Sequence, residues 1–391
     1  MEHQYNINNT TAVVIGLCVH GLAVSRALAK GGVEVHAIES DTKLPGIHTS
    51  SSIVHIVNSI AGKDLICNLI NLHPYLKSGS WKPVLFPIND EMVGSIADSW
   101  NELEDLYCLS WSCNIDLVKS LLNKENLATF CQESGLNYPS SSLVNDVHSL
   151  ELIPESPNRQ YIVKPNKPLS SFKVKKVNNK DEISKLITKH KGSLPFICQP
   201  WIEGDDSSIY FCAIYYDKGV PLCSFIGQKI LSHPPALGQT TAALPSNNKD
   251  ILNYTLRFFS EFDITGPVSL EIKVDIKGEY WVIEPTVGRT DYWIDCCIQN
   301  GVNIPYIEYL NQVGKKITDS SEKGDRVWLD SSKDPLIIFK IIKHIGLFSI
   351  FKSPPRFAYC DLRDYRPVYY SLIDLLKRKS KKFFTWQSDT A

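Results

Sequence analysis

The sequence predicts two successive kinds of structure, a parallel α/β domain at the start of the chain and a mainly antiparallel α+β region after it. Residues 11–39 have the pattern of strand, helix and strand: the β-branched run TAVVIG, a stretch of good helix formers, and VEVHAIE. Residues 196–287 instead alternate apolar and polar side chains around short turns, a pattern typical of antiparallel hairpins. The 391 residues suffice for two or three packed units.

The first unit is predicted to be a Rossmann-like domain that ends near residue 115. Its first loop carries Gly16 and Gly21 with four residues between them, so the dinucleotide fingerprint GxGxxG is absent. A ligand other than NAD(P) or a flavin is therefore favoured. A dinucleotide-dependent oxidoreductase stays open as an alternative, and such a protein would bind NAD(P) or carry a yellow flavin.

The remaining segments of this unit and of the region after it also carry readable signals. PVLFPINDEMVGSIADSW predicts a strand that ends at Pro87 and a helix that begins near Asp90. DLVKSLLNKENLATFCQESG predicts two short helices that end at Gly135. YIVKP predicts a strand, SSFKVKKV a loop and a strand, and DEISKLITKHK a helix.

Composition excludes several classes of protein. A net charge of −1 argues against a dedicated nucleic-acid binder. No apolar run approaches the roughly 18 residues that span a membrane, and the N-terminus does not resemble a secretory signal. Eleven cysteines without a CxxC pair are best interpreted as reduced thiols of a cytoplasmic protein, with Cys296 and Cys297 as small buried apolar residues.

Two glutamates form the sharpest candidate site. Glu271 and Glu284 lie thirteen residues apart in SLEIKVDIKGEYWVIEPT, on the two strands that flank the turn at Lys277 and Gly278. Facing strands can bring both carboxylates to one side of the sheet, where their charges repel unless a cation neutralises them. Mg²⁺ bound by two carboxylates and substrate phosphates would meet that requirement. Taken alone, the pair also fits two solvated strand residues.

Lysines and serines at predicted strand ends accompany the glutamates. Lys164 lies near the end of YIVKP, and Lys229 lies in FIGQKI. Lysines in such places can hold polyphosphates as point charges. Ser170 and Ser171 in the following loop offer hydroxyl and backbone donors. Each lysine taken singly also fits an ordinary solvated surface charge.

Together these segments resemble the ATP-grasp superfamily of carboxylate–amine ligases. The resemblance rests on YIVKP, the serine-rich loop, ICQPWIEGDD, EIK and IEPTVGR in this order. Within the superfamily, FIGQKILSHPPALGQTT and IEPTVGRTDYW are similar to the D-aspartate ligase type. The resemblance implies a Rossmann-like domain followed by a two-lobed ATP-grasp domain, divided as follows: 1–115, a Rossmann-like domain; 116–195, linker helices and the first lobe; 196–315, the second lobe with the metal site; and 316–391, a basic and amphipathic extension.

The resemblance also implies a role for each matching residue. Lys124, Lys164 and Lys229 would contact the ATP phosphates, with Ser170 and Ser171 in the phosphate loop. Gln199, Trp201 and Ile202 would hold adenine, and Asp206 would bind the ribose hydroxyls. The implied magnesium ligands are Glu271, Glu284 and Thr286, and Arg289 would steady the transferred phosphoryl group.

The sequence departs from the family pattern in several places. The phosphate loop lacks glycine, and Gln199 stands where glutamate is commoner. Thr286 occupies the usual place of an asparagine, and Arg289 lies one residue later than expected. A catalytically impaired ATP-binding pseudoenzyme or interaction protein on the same fold therefore stays open.

The activity implied is an ADP-forming, ATP- and Mg²⁺-dependent ligation of a small-molecule carboxylate and an amine, such as an amino acid or a cell-surface precursor. A carboxylate would attack the γ-phosphate, and the amine would attack the resulting acyl-phosphate. PLIIFKIIKHIGLFSIF predicts an amphipathic helix, and Lys377, Arg378, Lys379, Lys381 and Lys382 follow it. Both features predict peripheral contact of residues 316–391 with the inner face of an anionic membrane. The alternative is a helix docked on the lobes.

Overall fold

The fold is given by a computed structural model that describes residues 10–77, 81–156, 158, 160–166, 171, 172, 174–317, 324–346, 350 and 353–388. Three β-sheets organise this part of the chain, with four, four and seven strands. The first sheet is parallel, whereas the other two are mainly antiparallel. This confirms the predicted order of a parallel α/β domain and an antiparallel α+β region.

The parallel sheet belongs to the first domain and has the strand order β3-β2-β1-β4. Its strands are β1 (Ala12–Ile15), β2 (Val35–Glu39), β3 (Ile53–Ile56) and β4 (Val84–Pro87). Its helices are α1 (Val19–Lys30), α2 (Gly62–Leu72), α3 (Asp90–Asp98) and the short α4 (Trp100–Leu103). Every residue of β1 is buried, as expected for a central strand covered on both faces.

The spacing of the first two glycines has a packing reason. Gly16 adopts a φ of +98°, and a Cβ on Gly21 would lie 2.0 Å from the carbonyl oxygen of Gly16. Only glycine permits this close approach of α1 to the end of β1. Glu39 then fixes the loop, since its carboxylate accepts hydrogen bonds from the backbone N–H groups of Leu17, Ser40 and Asp41.

Two helices, α5 (Ile115–Leu122) and α6 (Leu127–Glu133), connect the first domain to a four-stranded sheet of order β5-β8-β6-β7. The strands are β5 (Ser142–Val144), β6 (Tyr161–Pro165), β7 (Lys175–Val177) and β8 (Phe196–Pro200), and α7 (Lys180–Lys189) packs on them. We call this unit the first lobe. Because β8 pairs with β5 and β6, the first lobe extends to Pro200 and not to residue 195 as predicted.

The seven-stranded sheet forms the second lobe, in the order β13-β12-β9-β10-β11-β14-β15. Its strands are β9 (Ile209–Asp217), β10 (Val220–His233), β11 (Gln239–Pro245), β12 (Gly266–Val274), β13 (Tyr280–Val287), β14 (Trp328–Leu329) and β15 (Arg356–Phe357). The helices are α8 (Lys249–Phe259), α9 (Ile294–Gln299) and α10 (Ile304–Gln312). Cys296 and Cys297 in α9 are fully buried, as predicted.

Most of the described residues from 324 to 357 belong to the second lobe. Strands β14 and β15 continue its sheet, and α11 (Ile337–Ile345) buries Ile337 and Ile341 against β11. The apolar stripe of α11 therefore faces the protein, which was the alternative to membrane contact for this helix. Among the described residues, no helix combines the length and apolar character needed to cross a bilayer.

The last helix, α12 (Arg366–Ser388), packs instead on the first domain. The ring of Tyr370 stacks on that of His48, with centroids 3.4 Å apart. Just before α12, Asp364 accepts a hydrogen bond of 2.9 Å from Nε of buried Arg26 and others from Thr49 and Ser50. The chain thus returns to its first domain through a buried ion pair.

Candidate active site

A cleft of about 760 Å³ lies between the two lobes. Its walls come from the linker, the first-lobe sheet, the hinge after β8 and the second-lobe sheet. Eight of the residues predicted from the sequence line it: Lys124, Lys164, Gln199, Trp201, Ile202, Lys229, Glu271 and Glu284. Residues more than a hundred positions apart in sequence therefore meet in one cavity of the size that a small-molecule ligand requires.

The two glutamates face each other across β12 and β13. Glu271 and Glu284 are directly paired in the antiparallel ladder, next to an irregularity between Glu271 and Ile272. Directly opposed residues project to the same face of a sheet, so both carboxylates point into the cleft. The hairpin predicted from SLEIKVDIKGEYWVIEPT has this geometry.

Glu284 has a cation beside it. Its Oε1 lies 3.0 Å from Nζ of Lys124, which projects from the turn between α5 and α6. Burial opposes the charge on Glu284, but Lys124 and Lys164 hold the pKa of this carboxyl below its usual value. Burial lowers the pKa of Lys164 itself. Glu284 is therefore kept ionised.

Glu271 differs from Glu284 because no described residue donates a hydrogen bond to it or forms an ion pair with it. Burial raises the pKa of Glu271 to about 7, with Lys229 acting in the opposite direction. A carboxylate in this state, paired with a second one, fits a hard cation that prefers oxygen ligands. Within the described residues no group of three or more Asp, Glu, His or Cys side chains could hold a metal, so remaining ligands would have to come from substrate or water.

Asp206 does not reach the cleft, which corrects the ribose-binding role expected for it. Its carboxylate is buried and accepts hydrogen bonds from the backbone and hydroxyl of Ser232. It also lies 3.1 Å from Nζ of Lys229. The reason is the course of β10 and its following turn, which wrap around Asp206. This residue positions Lys229 at the cleft wall instead of presenting acceptors to a ligand.

The hinge glutamine has a structural role for its side chain. Nε2 of Gln199 donates to the hydroxyls of Tyr138 and Ser141, at 3.0 and 2.8 Å. A glutamate could accept from those hydroxyls but could not donate to them. The following residues, Pro200 to Ile202, run along the cleft wall. The N–H of Trp201 already donates to the carbonyl of Gln160, and its carbonyl accepts from Nδ2 of Asn158.

Trp201 lies between two lysines that the sequence analysis left without a role. Nζ of Lys176 from the first lobe and Nζ of Lys273 from the second each lie 4.2 Å from the centre of its ring. Lys273 lines the cleft and donates to the carbonyl of Gly204, and burial lowers its pKa to about 8. Its position two residues after Glu271 was the available signal, since alternate strand residues share a face.

Two further predicted residues, Ser171 and Thr286, are not among the residues that line the cleft. The hydroxyl of Ser171 lies 2.7 Å from Nδ1 of His190 and 2.8 Å from the hydroxyl of Ser193. Ser170 lies outside the described residues. Thr286 is buried and is not part of the cleft lining. Neither side chain contacts the cavity in the way the resemblance implied.

Arg289 is also held away from the cleft lining. Its Nε donates to Asp90 at the start of α3, at 2.7 Å, and its Nη1 donates to the carbonyl of Thr290. The hydroxyl of Thr290 in turn lies 2.7 Å from Nε2 of buried His20. These contacts join the first domain to the second lobe at the edge of the site.

Asp291, Tyr292 and Trp293 also line the cleft, and they belong to the stretch from Gly288 to Trp293 that the sequence predicts at the acceptor site. The hydroxyl of Tyr292 donates to Asp330 at 2.6 Å, so residues that follow β14 support the cleft. Asp291 has its own pair of hydrogen bonds, from Ser269 and from the Tyr292 N–H. The sequence offered one signal, because IEPTVGRTDYW runs on directly from Glu284.

Comparison with known proteins places this architecture. No protein-family model and no curated protein matches the sequence. Solved structures do match, and N5-carboxyaminoimidazole ribonucleotide synthetases and biotin carboxylases, which have the ATP-grasp fold, are among them. The chain has the ATP-grasp fold, with a Rossmann-like domain in front of the two lobes.

Two kinds of solved structure illustrate the likeness. N5-carboxyaminoimidazole synthetase from Staphylococcus aureus matches with a TM-score of 0.63 at 13% identity over 86% of both chains. Its counterpart from Aspergillus clavatus, in complex with ADP and 5-aminoimidazole ribonucleotide, matches with a TM-score of 0.62 at 13% identity over 80% of this chain and 79% of that one. The biotin carboxylase domain of Hydrogenobacter thermophilus 2-oxoglutarate carboxylase, bound to MgADP, reaches 0.60 at 12% identity over 83% of this chain and 74% of that one.

Proposed function

We propose that this protein is an ATP-dependent, ADP-forming ligase that joins a carboxylate to an amine through an acyl-phosphate. The observation that carries the proposal is the pairing of Glu271 with Glu284 in a cleft that also contains Lys124, Lys164 and Lys229. Two acceptor carboxylates for a divalent cation and three phosphate-binding cations are the groups that phosphoryl transfer needs. The solved relatives with bound ADP support a nucleotide in the equivalent cleft.

Glu271 and Glu284 would hold Mg²⁺. The ion would bridge ATP phosphates and neutralise the charge that develops during transfer. Mg²⁺ commonly binds through one or two carboxylates together with phosphates and water, which is the number of carboxylates that this pair supplies. Thr286 was expected as a third ligand, but its burial outside the cleft lining does not support that role.

The remaining residues would bind and orient the nucleotide. The backbone from Gln199 to Ile202 would contact the adenine edge, and Trp201 adds an aromatic surface fixed by Lys176 and Lys273. Lys164 and Lys229, from opposite lobes, would bind phosphates from two sides. In-line attack by a substrate carboxylate then needs positioning and exclusion of water more than covalent help from the protein.

For the substrates we propose amino acids or related cell-surface precursors, in keeping with the resemblance to the D-aspartate ligase type. The amine end of the cleft would be formed by Asp291 and Tyr292, next to Arg289. We further propose a cytoplasmic location at the inner face of the membrane. The exposed side chains of Tyr369, Leu372 and Leu376 in α12 support this, together with the basic run that follows.

A second candidate is an ATP-binding protein without ligase activity. One specific observation favours it. Arg289 forms an ion pair with Asp90, with 2.7 Å between Nε and Oδ1, and is not among the residues that line the cleft. This candidate binds nucleotide but turns none over with any substrate pair.

The decisive experiment is a screen of D- and L-amino acids and small acids for ATP-dependent ADP release, with hydroxylamine present to trap an acyl-phosphate as hydroxamate. We expect one acid to give hydroxamate and ADP in equal amounts, and a Glu284→Gln variant serves as the matched control. Chromatography of the spent nucleotide should find ADP and phosphate. AMP and pyrophosphate would refute the proposed chemistry, and nucleotide binding without turnover would favour the second candidate.

A further inference from the structure

The charged residues that line the cleft leave one carboxylate without a partner cation. Among the residues that the structure describes, seven charged side chains line it: Lys124, Lys164, Lys229, Lys273, Glu271, Glu284 and Asp291. Glu271 and Glu284 are assigned to Mg²⁺, and Lys229 already has Asp206. Asp291 has no ion-pair partner among the described residues, although it is largely buried.

Asp291 is held in place from two sides by neutral donors. Oδ2 accepts from the hydroxyl of Ser269 at 2.8 Å, and Oδ1 accepts from the N–H of Tyr292 at 2.5 Å. Ser269 lies two residues before Glu271 on β12, so Asp291 lies over the same sheet face as the proposed metal site. Each carboxylate oxygen retains a lone pair for a further donor.

Asp291 and the hinge reach the cleft from different lobes. The hinge from Gln199 to Ile202 continues from β8 of the first lobe, whereas Asp291, Tyr292 and Trp293 follow β13 of the second lobe. Arg289 attracts Asp291 electrostatically, but its ion pair is with Asp90 and it forms none with Asp291. A cationic group would be attracted, and its charge would offset the cost of burying this carboxylate.

We propose that Asp291 binds the ammonium group of the amine substrate and accepts its proton as the amide bond forms. This inference rests on the proposed function, and it defines the acceptor as a primary amine that is protonated at neutral pH. Burial keeps the pKa of Asp291 above its ordinary value, although Arg289 and the hydrogen bonds from Ser269 and Tyr292 act in the opposite direction, and the raised pKa favours its action as a base.

The step balances with the groups at hand. The ammonium gives one proton to Asp291, and the freed nitrogen lone pair forms the C–N bond to the acyl carbon. The bond from that carbon to the phosphate oxygen breaks, and phosphate leaves with the electron pair. The phosphate accepts a second proton from nitrogen, the amide keeps the third, and Asp291 returns its proton to water.

The test compares charged and uncharged nucleophiles in the full-length enzyme and in Asp291→Asn, which retains shape and hydrogen bonding but loses the charge. Hydroxylamine is mostly uncharged at neutral pH, so its trapping of the acyl-phosphate should change less than about threefold. Amide formation with a protonated primary amine should fall about 10²- to 10⁴-fold, the usual effect of removing a general base. Ser269→Ala retains the charge of Asp291, so its rate of amide formation should lie between the rates of the wild-type enzyme and of Asp291→Asn.

Equal losses with both nucleophiles would mean that Asp291 only maintains the fold, and no loss with the charged amine would also overturn the inference. Absence of hydroxamate from the wild-type enzyme would instead refute the ligase activity. In that case calorimetry can still test whether Asp291 binds an amine. The enzyme would be loaded with Mg²⁺ and a non-hydrolysable ATP analogue, and the binding of D- and L-amino acids and of glucosamine would be measured. We expect at least one amine to bind about tenfold more weakly to Asp291→Asn, and equal binding, or no binding to wild type, contradicts the assignment.

Discussion

Lys124 and Glu284 form an ion pair, with 3.0 Å between Nζ and Oε1, that joins the linker helices to the second lobe. The pair lies at the mouth of the cleft, where about half of each side chain is exposed. Such a pair contributes little to stability in solvent. The pair matters for the site instead, because Lys124 keeps Glu284 ionised beside the space where phosphates would bind.

The first prediction concerns Glu284. Glu284→Gln should abolish ligation while the protein stays folded and binds ATP, because adenine and lysine contacts remain. The loss of one preorganised electrostatic partner typically lowers the rate about 10²- to 10³-fold. Glu271→Gln should do nearly the same. Steady-state ADP release and nucleotide binding by calorimetry measure the two effects separately.

Glu279→Gln is the matched control, since Glu279 is an exposed glutamate at the end of the same hairpin. It should change activity less than about twofold and stability by less than about 0.5 kcal/mol. A folded Glu284→Gln protein with activity close to wild type would contradict the metal-site assignment.

The second prediction concerns the membrane. Tyr369, Leu372 and Leu376 are 58, 55 and 67% exposed along one face of α12. Lys377 follows them, and the sequence continues with Arg378, Lys379, Lys381 and Lys382. The side chains of these last four residues lie outside the described part of the chain. The full-length protein should float with phosphatidylglycerol vesicles at low salt, since each basic residue near the surface adds roughly 1 kcal/mol.

Two controls accompany that measurement. A Leu372→Ser/Leu376→Ser variant should stay at the bottom of the gradient, because the apolar anchor is lost. Phosphatidylcholine vesicles should also fail to bind the wild-type protein. Wild-type protein that does not float with the anionic vesicles would exclude this surface as a membrane contact.

Local patterns were enough to predict most of the fold. The run TAVVIG, the β12–β13 hairpin and the α3 start at Asp90 each carry their information within a few residues. What the sequence could not predict was which sheet a short strand joins. Strand β14 has two residues, and its place beside β11 depends on packing with α11.

The site was predictable to the extent that strand alternation governs it. Glu271 and Glu284 face one another because the ladder shifts by one residue between Ile272 and Glu271. The register set by the turn alone would pair Glu271 with Ile283. Asp206 was misassigned because its burial depends on how β10 bends around it, through the hydrogen bond to the Ser232 N–H at 3.0 Å. Asp291 lies in the stretch from Gly288 to Trp293 predicted at the acceptor site, but its own role was not predicted because nothing local distinguishes a buried carboxylate from a turn residue.

The third prediction concerns pH and Glu308, a buried residue outside the site. Burial raises the pKa of Glu308 to about 8, opposed only by a hydrogen bond from Ser110. The folded state therefore holds a proton that the unfolded chain releases near its ordinary value, so stability falls as pH rises toward 8. Glu308→Gln should remove this dependence and raise stability at pH 8.5 by on the order of 2 kcal/mol.

Urea unfolding at pH 5 and at pH 8.5 measures that difference. At pH 5 the two proteins should be equally stable within about 0.5 kcal/mol, because Glu308 is protonated in the fold and glutamine mimics it. An equal difference between the two proteins at both pH values would rule out titration of Glu308 as the cause.

The last prediction concerns the buried ion pair that returns the chain to its first domain. Asp364 accepts hydrogen bonds from Arg26, Thr49 and Ser50, and Arg26 also donates to the carbonyl oxygens of Ala358 and Tyr359. Asp364→Ala would leave the guanidinium of Arg26 buried without its counter-charge, and removing one partner of such a pair costs about 3–5 kcal/mol.

The matched control is Asp361→Ala, three residues earlier, whose ion pair with Lys30 has a partner side chain that is 45% exposed. That change should cost at most about 1 kcal/mol. Chemical denaturation gives both values, and limited proteolysis should cleave residues 353–388 faster in Asp364→Ala alone. Since α12 would be released from His48 while Arg26 still packs in α1, the nucleotide cleft should continue to bind ATP. Similar stabilities for the two variants would mean that Asp364 does not anchor the C-terminal segment.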